Sequence, residues 1–228
     1  MCGSLSLLAA LLVMCSPSEA TARFARFDFD SGPRWHIAAG LGPTHFPGTT
    51  TDNKTSFSKQ LHAAGFAESF WAGTGRVSVD FLPIDFLAVG VEGTYHYSKA
   101  QTTGEVDGNI KRMENVTPSE TMGFHRLTGF LYIQPNVRID YLGDANIEMA
   151  FQLAFGVGRA FWTFRGETEP GRVYCLRPAM LFDWYFDVFS IGFRFAAPVT
   201  WIEALGPYSL SHSPTLAAEI TLQTGVRF

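Results

Sequence analysis

The sequence RLTGFLYIQPNVRIDY, at residues 126–141, alternates apolar and polar side chains with a period of two. Successive side chains of a β-strand point to opposite faces of a sheet, so this is the period of a strand and not of a helix. One face of the segment is apolar and includes Leu127 and Leu131, whereas the other includes Arg126 and Arg138. The segment therefore predicts a long β-strand with one apolar face and one largely polar face.

Seven further segments have the same period, at residues 34–41, 76–81, 87–97, 147–158, 174–186, 189–201 and 216–228. The connections between the eight segments alternate in length. Long connections are predicted at residues 47–69, 98–123, 165–171 and 203–214, and short ones at residues 83–85, 142–146 and around Asp187. Antiparallel strands with short turns at one end and long loops at the other are typical of bacterial outer-membrane barrels. The predicted fold is all-β, a single up-and-down transmembrane barrel of eight antiparallel strands.

A water-soluble eight-stranded barrel also alternates, but its apolar face points inward, so the period alone does not choose between the two environments. The polar face of this sequence mixes Arg, Asp and Glu with Gly and Ala, as the interior of a narrow barrel requires. Aromatic residues lie near the ends of the apolar face, as in the girdles at the two membrane interfaces. These aromatic residues are Trp35, Trp71, Phe81, Tyr95, Tyr97, Tyr141, Tyr174, Trp184, Phe186 and Trp201. The alternative, in which they fill a soluble core, remains open.

The last predicted strand places Ile220, Leu222 and Val226 on the same face as the terminal Phe228. This ending resembles the small outer-membrane β-barrel families of Gram-negative bacteria, with OmpA-, OmpX- and OmpW-like architecture. The resemblance implies that the barrel-insertion machinery recognises Phe228 and that the protein is located in outer-membrane lipid with both termini periplasmic. It indicates a location and not a function, since one fold serves many functions.

Residues 1–22 are interpreted as a secretory signal peptide, because the apolar run LSLLAALLVM at residues 5–14 precedes an A-x-A pattern at residues 20–22. No Lys or Arg precedes the apolar run, which departs from the usual pattern and leaves the true start codon open. The barrel domain is assigned to residues 23–228. Only Cys175 of the three cysteines lies in this domain, so no intrachain disulfide is expected.

Composition excludes several other classes of protein. The chain is 46% apolar and 14% aromatic, which is too apolar for a disordered segment. It has 17 basic and 21 acidic residues, so no basic surface for nucleic acid is expected. No apolar stretch of the barrel domain reaches the roughly 18 residues of a membrane-spanning helix.

The polar faces of the eight strands predict a charged barrel interior. Its candidate lining residues are Arg76, Asp80, Glu92, His96, Arg126, Arg138, Asp140, Glu148, Arg177, Asp183, Arg194, Glu219 and Arg227. Charges removed from water must be paired or hydrated, so these residues form either a salt-bridged plug or the lining of a narrow water-filled path. The other histidines lack the spacing of metal ligands and are interpreted as solvated polar residues. No metal or cofactor is predicted.

One segment favours an enzymatic function: His96-Tyr97-Ser98 resembles the His-x-Ser motif of lipid A deacylases. Lys99 follows where those enzymes usually have Asn, and the period of the strand directs His96 into the interior, away from lipid. No catalytic residue is therefore predicted. The expected function is a structural or surface-interaction role, with the two long loops at residues 47–69 and 98–123 binding an extracellular ligand. The alternatives are a narrow channel or conduit for small solutes or hydrophobic compounds, as in OmpW-like barrels, and, as a distant third, a lipid A-modifying enzyme.

Overall fold

The computed structural model describes residues 34–46, 70–84, 86–101, 121–140, 145–164, 166–204 and 215–228. These residues form antiparallel β-strands, and no helix among them is long and apolar enough to cross a membrane. In chain order the strands are β1 (Arg34–Phe46), β2 (Phe70–Ile84), β3 (Leu87–Gln101), β4 (Thr121–Asp140), β5 (Ala145–Phe164), β6 (Glu167–Phe186), β7 (Phe189–Ala196), β8 (Val199–Ala204), β9 (Thr215–Leu216) and β10 (Ala218–Arg227). The signal peptide predicted at residues 1–22 lies outside the described residues.

Two strands of the barrel are interrupted. β7 and β8 both pair with β6, so they are two halves of one barrel strand. β9 and β10 are likewise two halves of one strand, since β9 pairs with β8 and β10 pairs with β7. The amide of Ala197 donates to the carbonyl of Pro178 (3.0 Å), and the amide of Ala217 donates to the carbonyl of Pro198 (2.9 Å). Hydrogen bonding therefore continues through both interruptions, and the ten segments make eight barrel strands.

The sheet closes on itself between the first and last strands. β1 pairs with β2 on one side and with β10 on the other, where His36 lies opposite Arg227 and Leu41 lies opposite Leu222. The remaining strands pair around the circle with β5 joined to β6. Closure leaves no free sheet edge between β1 and β10. The predicted all-β, eight-stranded, antiparallel up-and-down barrel is confirmed.

The two ends of the barrel differ in their connections. The end that we call the terminal end holds Arg34, Phe228, the turn at residues 187–188 and the strand ends that are joined through residues 85–86 and 141–144, of which residues 85 and 141–144 lie outside the described part of the chain. The opposite end, the loop end, holds the strand ends that are joined through residues 47–69, 102–120 and 205–214, which lie outside the described part of the chain. The reversal predicted around Asp187 is confirmed. Asp187 has a φ of 58°, a left-handed conformation that Asp tolerates better than most residues.

The prediction of a long loop at residues 165–171 is wrong. β5 continues to Phe164, and β6 begins after only two residues, so the two strands form a tight hairpin. Gly166 has a φ of 83°, which a glycine adopts without steric cost and which allows this short reversal. Pro170 lies one residue beyond Gly171, which is the last β6 residue paired with β8. Proline has no N–H to donate, but Pro170 takes part in none of the described β6–β8 pairs, so it interrupts none of them.

The pleat of the strands separates charged side chains from apolar ones. Along β10, buried and exposed side chains alternate without a break from Ala218 to Val226. The inward-facing side chains include buried Arg, Glu, Gln and Thr, whereas the outward-facing ones include Leu41 and Leu131, which are 73% and 68% exposed. This distribution is the reverse of that in a water-soluble protein, whose large apolar side chains are mostly buried.

Candidate functional site

The barrel interior brings together most of the charged residues that the sequence assigned to it. The side chains of Arg76, Asp80, Glu92, His96, Arg126, Glu148, Arg177, Asp183, Arg194 and Glu219 are buried, and that of Arg227 is half-buried. Arg138 and Asp140 belong to β4, but their side chains lie outside the described part of the structure. The described charges form three connected groups along the barrel axis.

The central group is built on the carboxylate of Glu92. Its Oε1 lies 2.7 Å from Arg177 Nη2 and 3.3 Å from Arg194 Nη1, and its Oε2 lies 3.0 Å from Arg76 Nη2. Arg76 lies on β2, next to β3 with Glu92, whereas Arg177 and Arg194 lie on β6 and β7, so the contacts of Glu92 with these two arginines cross the lumen. The guanidinium of Arg177 also stacks on the ring of Phe130, with its Cζ 3.8 Å from the ring centroid. One carboxylate therefore joins three guanidiniums in the middle of the barrel.

The second group lies toward the loop end and is built on Glu219. Its Oε2 lies 3.3 Å from His96 Nε2, and its Oε1 lies 3.6 Å from Arg194 Nη1, which connects it to the central group. Arg126 Nη2 lies 2.9 Å from His96 Nε2, and Arg126 Nη1 donates to Thr200 Oγ1 (3.0 Å). In this group Glu219 contacts His96 and Arg194, and His96 in turn contacts Arg126.

Two buried phenylalanines lie above this second group at the loop end. Phe46 is the last residue of β1, and Phe124 lies near the start of β4. Their rings meet edge to face with centroids 6.3 Å apart, and Arg126 Cζ lies 5.7 Å from the centroid of the Phe46 ring. The aromatic pair covers the charged interior on the side of the long loops.

The third group lies at the terminal end. Arg227 Nη2 donates to both carboxylate oxygens of Glu148 (3.0 and 3.1 Å) and lies 2.7 Å from the hydroxyl of Tyr185. His36 lies between Asp80 and Ser190, with 2.9 Å from Nδ1 to Asp80 Oδ2 and 3.2 Å from Nε2 to Ser190 Oγ. The interpretation of His36 as a solvated residue is therefore wrong, since the barrel closes around it and leaves it 5% exposed.

Amide side chains extend the central group, and the candidate lining residues, which were all charged or histidine, did not include them. Arg76 donates to Gln223 (2.6 Å), which donates to Asp183 (2.7 Å) at the terminal end. Arg194 donates to Gln152 (2.7 Å), which donates to Gln134 (3.2 Å). These glutamines have the same inward parity as the charged residues, so the period of two could have identified them if uncharged polar residues had been included.

The serine–histidine contacts in the interior do not form an accessible catalytic site. Ser98 donates to the carbonyl of Trp71 (2.7 Å), and both Ser98 and His96 are buried inside the barrel, away from lipid. The chain Asp80–His36–Ser190 has the connectivity of a catalytic triad, but Ser190 is only 3% exposed. Gly225 packs against it so closely that a side chain there would collide with His36 Nε2. The hydroxyl therefore serves as a buried hydrogen-bond partner.

No group of three or more His, Cys, Asp and Glu side chains among the described residues could hold a metal ion. Cys175 is a free, buried thiol whose Sγ accepts a hydrogen bond from Thr200 Oγ1 (3.6 Å). Phe228 pairs with Trp35 through two backbone hydrogen bonds of 2.8 and 2.9 Å at the terminal end. Recognition of Phe228 by the insertion machinery stays a prediction.

The outer wall carries a continuous apolar band around this charged interior. On β6 every outward-facing side chain from Phe186 back to Tyr174 is apolar or aromatic, and on β5 the same holds from Ile147 to Val157. Buried charges inside and exposed hydrocarbon outside suit a lipid bilayer and not water. The protein is an outer-membrane β-barrel. Of the predicted girdle residues, Trp35, Trp71, Tyr95, Tyr97, Tyr174 and Phe186 are exposed, Phe81, Trp184 and Trp201 are half-buried, and Tyr141 lies outside the described residues.

Comparison with known proteins finds solved structures with a similar fold but low sequence identity. No protein-family model matches the sequence, and no curated protein matches it significantly. The barrel is similar to the crystal structure of Neisserial surface protein A, with 10% identity and a TM-score of 0.46 over 87% of this chain and 100% of that one. It is similar to the crystal structure of Ail, the attachment invasion locus protein of Yersinia pestis, with 11% identity and the same TM-score and coverage. Likeness at this level says nothing about what this chain binds.

Proposed function

We propose that this protein is a non-conducting structural barrel that presents its long loops for interaction at the cell surface. The observation that carries the proposal is the coordination of Glu92 by Arg76, Arg177 and Arg194, with all four side chains at most 2% exposed. These contacts link strands on different sides of the barrel through its centre. They support a closed interior, which is the first of the two interpretations that the sequence left open.

Opening a path for ions would require these contacts to separate. Removing a partner from a buried ion pair typically costs about 3–5 kcal/mol, because the remaining charge is neither hydrated nor paired. The central group alone contains three such contacts to Glu92, and Gln152 and Gln223 connect it to the neighbouring side chains. Thermal motion that separated all of them at once would be rare, so the resting barrel is expected to be closed.

Surface interaction is assigned to the loops at residues 47–69, 102–120 and 205–214. A rigid barrel with long connections at one end is a scaffold of the kind on which binding loops are usually found. Short turns of outer-membrane barrels face the periplasm and long loops face the outside. We therefore propose that the terminal end is periplasmic and that an extracellular ligand binds at the loop end.

The rival function, a narrow channel or conduit, is favoured by one feature of the interior. The central and loop-end groups contain four arginines, Arg76, Arg126, Arg177 and Arg194, but only two glutamates, Glu92 and Glu219, among the described residues. A path lined by this excess of guanidiniums would select anions. A channel function therefore predicts anion-selective openings and not merely a leak.

Single-channel recording separates the two functions. The refolded protein is inserted into a planar bilayer, and its folding is checked by the difference in gel mobility between boiled and unboiled samples. We expect no discrete openings from the folded barrel, because the interior contacts close the lumen. Reproducible openings whose anion selectivity changes in the Glu148→Gln variant would contradict the proposal and establish the channel.

A further inference from the structure

The outer wall of the barrel changes from apolar to basic at the loop end. On β5, Arg159 is the first charged outward-facing side chain beyond the apolar band, two residues after Val157. On β6, Arg172 is the first such charge, two residues before Tyr174 in the sequence. Both arginines are exposed, and the strand register places them directly opposite each other. The boundary of the band is therefore marked by a pair of facing arginines.

Among the described residues the pair has one carboxylate beside it, Glu203, which the register places opposite Arg172 on β8. Opposite residues on antiparallel strands have their Cβ atoms about 4.5–5.5 Å apart, and like charges at such positions destabilise a sheet. Arg172 Nη1 lies 4.0 Å from Glu203 Oε2, and the Arg172 side chain is 61% exposed. No ion pair or hydrogen bond to another described side chain involves Arg159. One carboxylate thus lies beside Arg172, at 4.0 Å, and no described carboxylate pairs with Arg159.

A third strand, β3, adds positive charge beyond the apolar band. Lys99 on β3 is exposed, and it is the first outward-facing charge beyond the band on that strand. On β4 the polar side chain of His125 is held by two tyrosines of β3, with Nδ1 2.5 Å from the hydroxyl of Tyr95 and its ring tilted by 43° against that of Tyr97, with centroids 4.8 Å apart. The rim from β3 to β6 therefore carries cationic side chains on three of its four strands, β3, β5 and β6.

A shallow apolar groove of about 540 Å³ begins at Val157, two residues below Arg159 on β5, and extends over β4 and β3 to β2 on the outer wall. It runs over Gly93 and Gly129, where the wall has no side chains, between Leu131, Phe155 and Val157. A Cβ at Gly93 would meet nothing within 4 Å, so the groove is open to the surroundings. A flexible hydrocarbon chain fits a groove of this kind at a height where the barrel is surrounded by lipid.

We propose that Arg159 and Arg172 bind a phosphate group on the headgroup of an outer-leaflet lipid whose acyl chain lies in the groove below. Guanidinium groups donate paired hydrogen bonds to phosphate oxygens and are weakly hydrated, so they suit an interfacial phosphate. The position at the upper boundary of the apolar band favours a lipid headgroup over a soluble anion. The inference depends on the membrane location of the barrel and is independent of whether the interior conducts.

Native mass spectrometry of the full-length protein in detergent micelles tests this site. Diphosphorylated lipid A is titrated into the wild type, the double variant R159Q/R172Q and the control variant E203Q. We expect the double variant to bind lipid A about tenfold more weakly, since each basic side chain contributes separately to headgroup attraction. E203Q removes the competing carboxylate, so its binding is expected to equal or exceed that of the wild type. For lipid A without its phosphates, we expect the wild type and the double variant to bind equally.

Several results would overturn the proposal. Equal binding of diphosphorylated lipid A by the wild type and R159Q/R172Q would show that the arginines take no part. If the wild type bound phosphate-free lipid A as tightly as diphosphorylated lipid A, only the acyl chains would be recognised. Complete displacement of lipid A by inorganic phosphate would indicate a site for a soluble anion. Gel mobility of unboiled samples confirms that each variant is folded, which is expected because both arginines are exposed on the outer wall.

Discussion

The variant Glu92→Gln is expected to lower the free energy of unfolding by about 3–5 kcal/mol. Glutamine keeps the shape of the side chain but removes the negative charge that Arg76, Arg177 and Arg194 share within 3.3 Å. Of the contacts that remain, Glu219 lies 3.6 Å from Arg194 and already interacts with His96. The variant would therefore bury guanidinium charges without a counter-ion. The free-energy cost of burying these unpaired charges is larger than the net stabilisation that the intact ion pairs give.

Urea unfolding of the barrel in lipid vesicles, followed by tryptophan fluorescence, measures this difference. The matched control is Glu203→Gln, which makes the same chemical change beside the exposed Arg172. An exposed ion pair contributes little, so the control is expected to change stability by at most about 1 kcal/mol. Equal unfolding midpoints for E92Q and E203Q would show that the central group does not hold the barrel together.

The variant Leu131→Arg is expected to destabilise the barrel by about 2–4 kcal/mol in a bilayer. Leu131 is 68% exposed on the outer wall, and its partners in the register are the exposed apolar residues Val91 and Phe155. On a surface in contact with water, the same replacement would change stability by no more than about 0.5 kcal/mol. The size of the effect therefore reports whether this face contacts hydrocarbon.

The control for this second variant is Val188→Arg, in the turn between β6 and β7 at the terminal end. Arginine near the membrane interface costs only about 0–1 kcal/mol, because its charge reaches the headgroups or water. Both variants are compared with the wild type by urea unfolding in the same vesicles. If L131R were as stable as V188R, the outer wall near Leu131 would not lie in the membrane.

The membrane-spanning part of each strand could be predicted from the sequence because lipid and the interior impose opposite demands on alternate residues. Residues 126–137 of β4 illustrate this, since every second side chain from Leu127 to Pro135 is apolar and exposed while those between are buried. A one-residue shift would place Arg126 in lipid and Leu131 in the polar interior. The alternation of the sequence therefore fixes the orientation of the strand.

The loop ends of the strands could not be predicted, because the alternation disappears above the membrane. At Arg159 and Arg172 the outward-facing side chains become polar, so they no longer differ from the inward-facing ones. The backbone ladder nevertheless continues, and β5 and β6 pair as far as Phe164 and Glu167. A strand assignment that depends on the alternation of apolar and polar side chains misses this extension and predicts a loop at residues 165–171.

The pairing of the interior charges was also beyond the sequence pattern. Parity indicates that Glu92 and Arg194 both point inward, but they lie on β3 and β7, which are not neighbouring strands. Their contact depends on how far the barrel is sheared and how long the side chains are, and neither is visible in the period of two. The partners of His36 are of both kinds, since Asp80 lies directly opposite it on the neighbouring strand β2, whereas Ser190 comes from β7, which is not next to β1.

The closed interior is tested most directly by the reactivity of Cys175, which is fully buried beside Thr200 in the loop-end group. The measurement uses the variant C2S/C15S, folded in lipid vesicles, and a small charged thiosulfonate that reacts with thiols only in water. We expect no modification of Cys175 in the folded barrel and complete modification after unfolding in urea. Modification of the folded barrel at the rate of the unfolded chain would show a water-filled path through the interior and contradict the structural role.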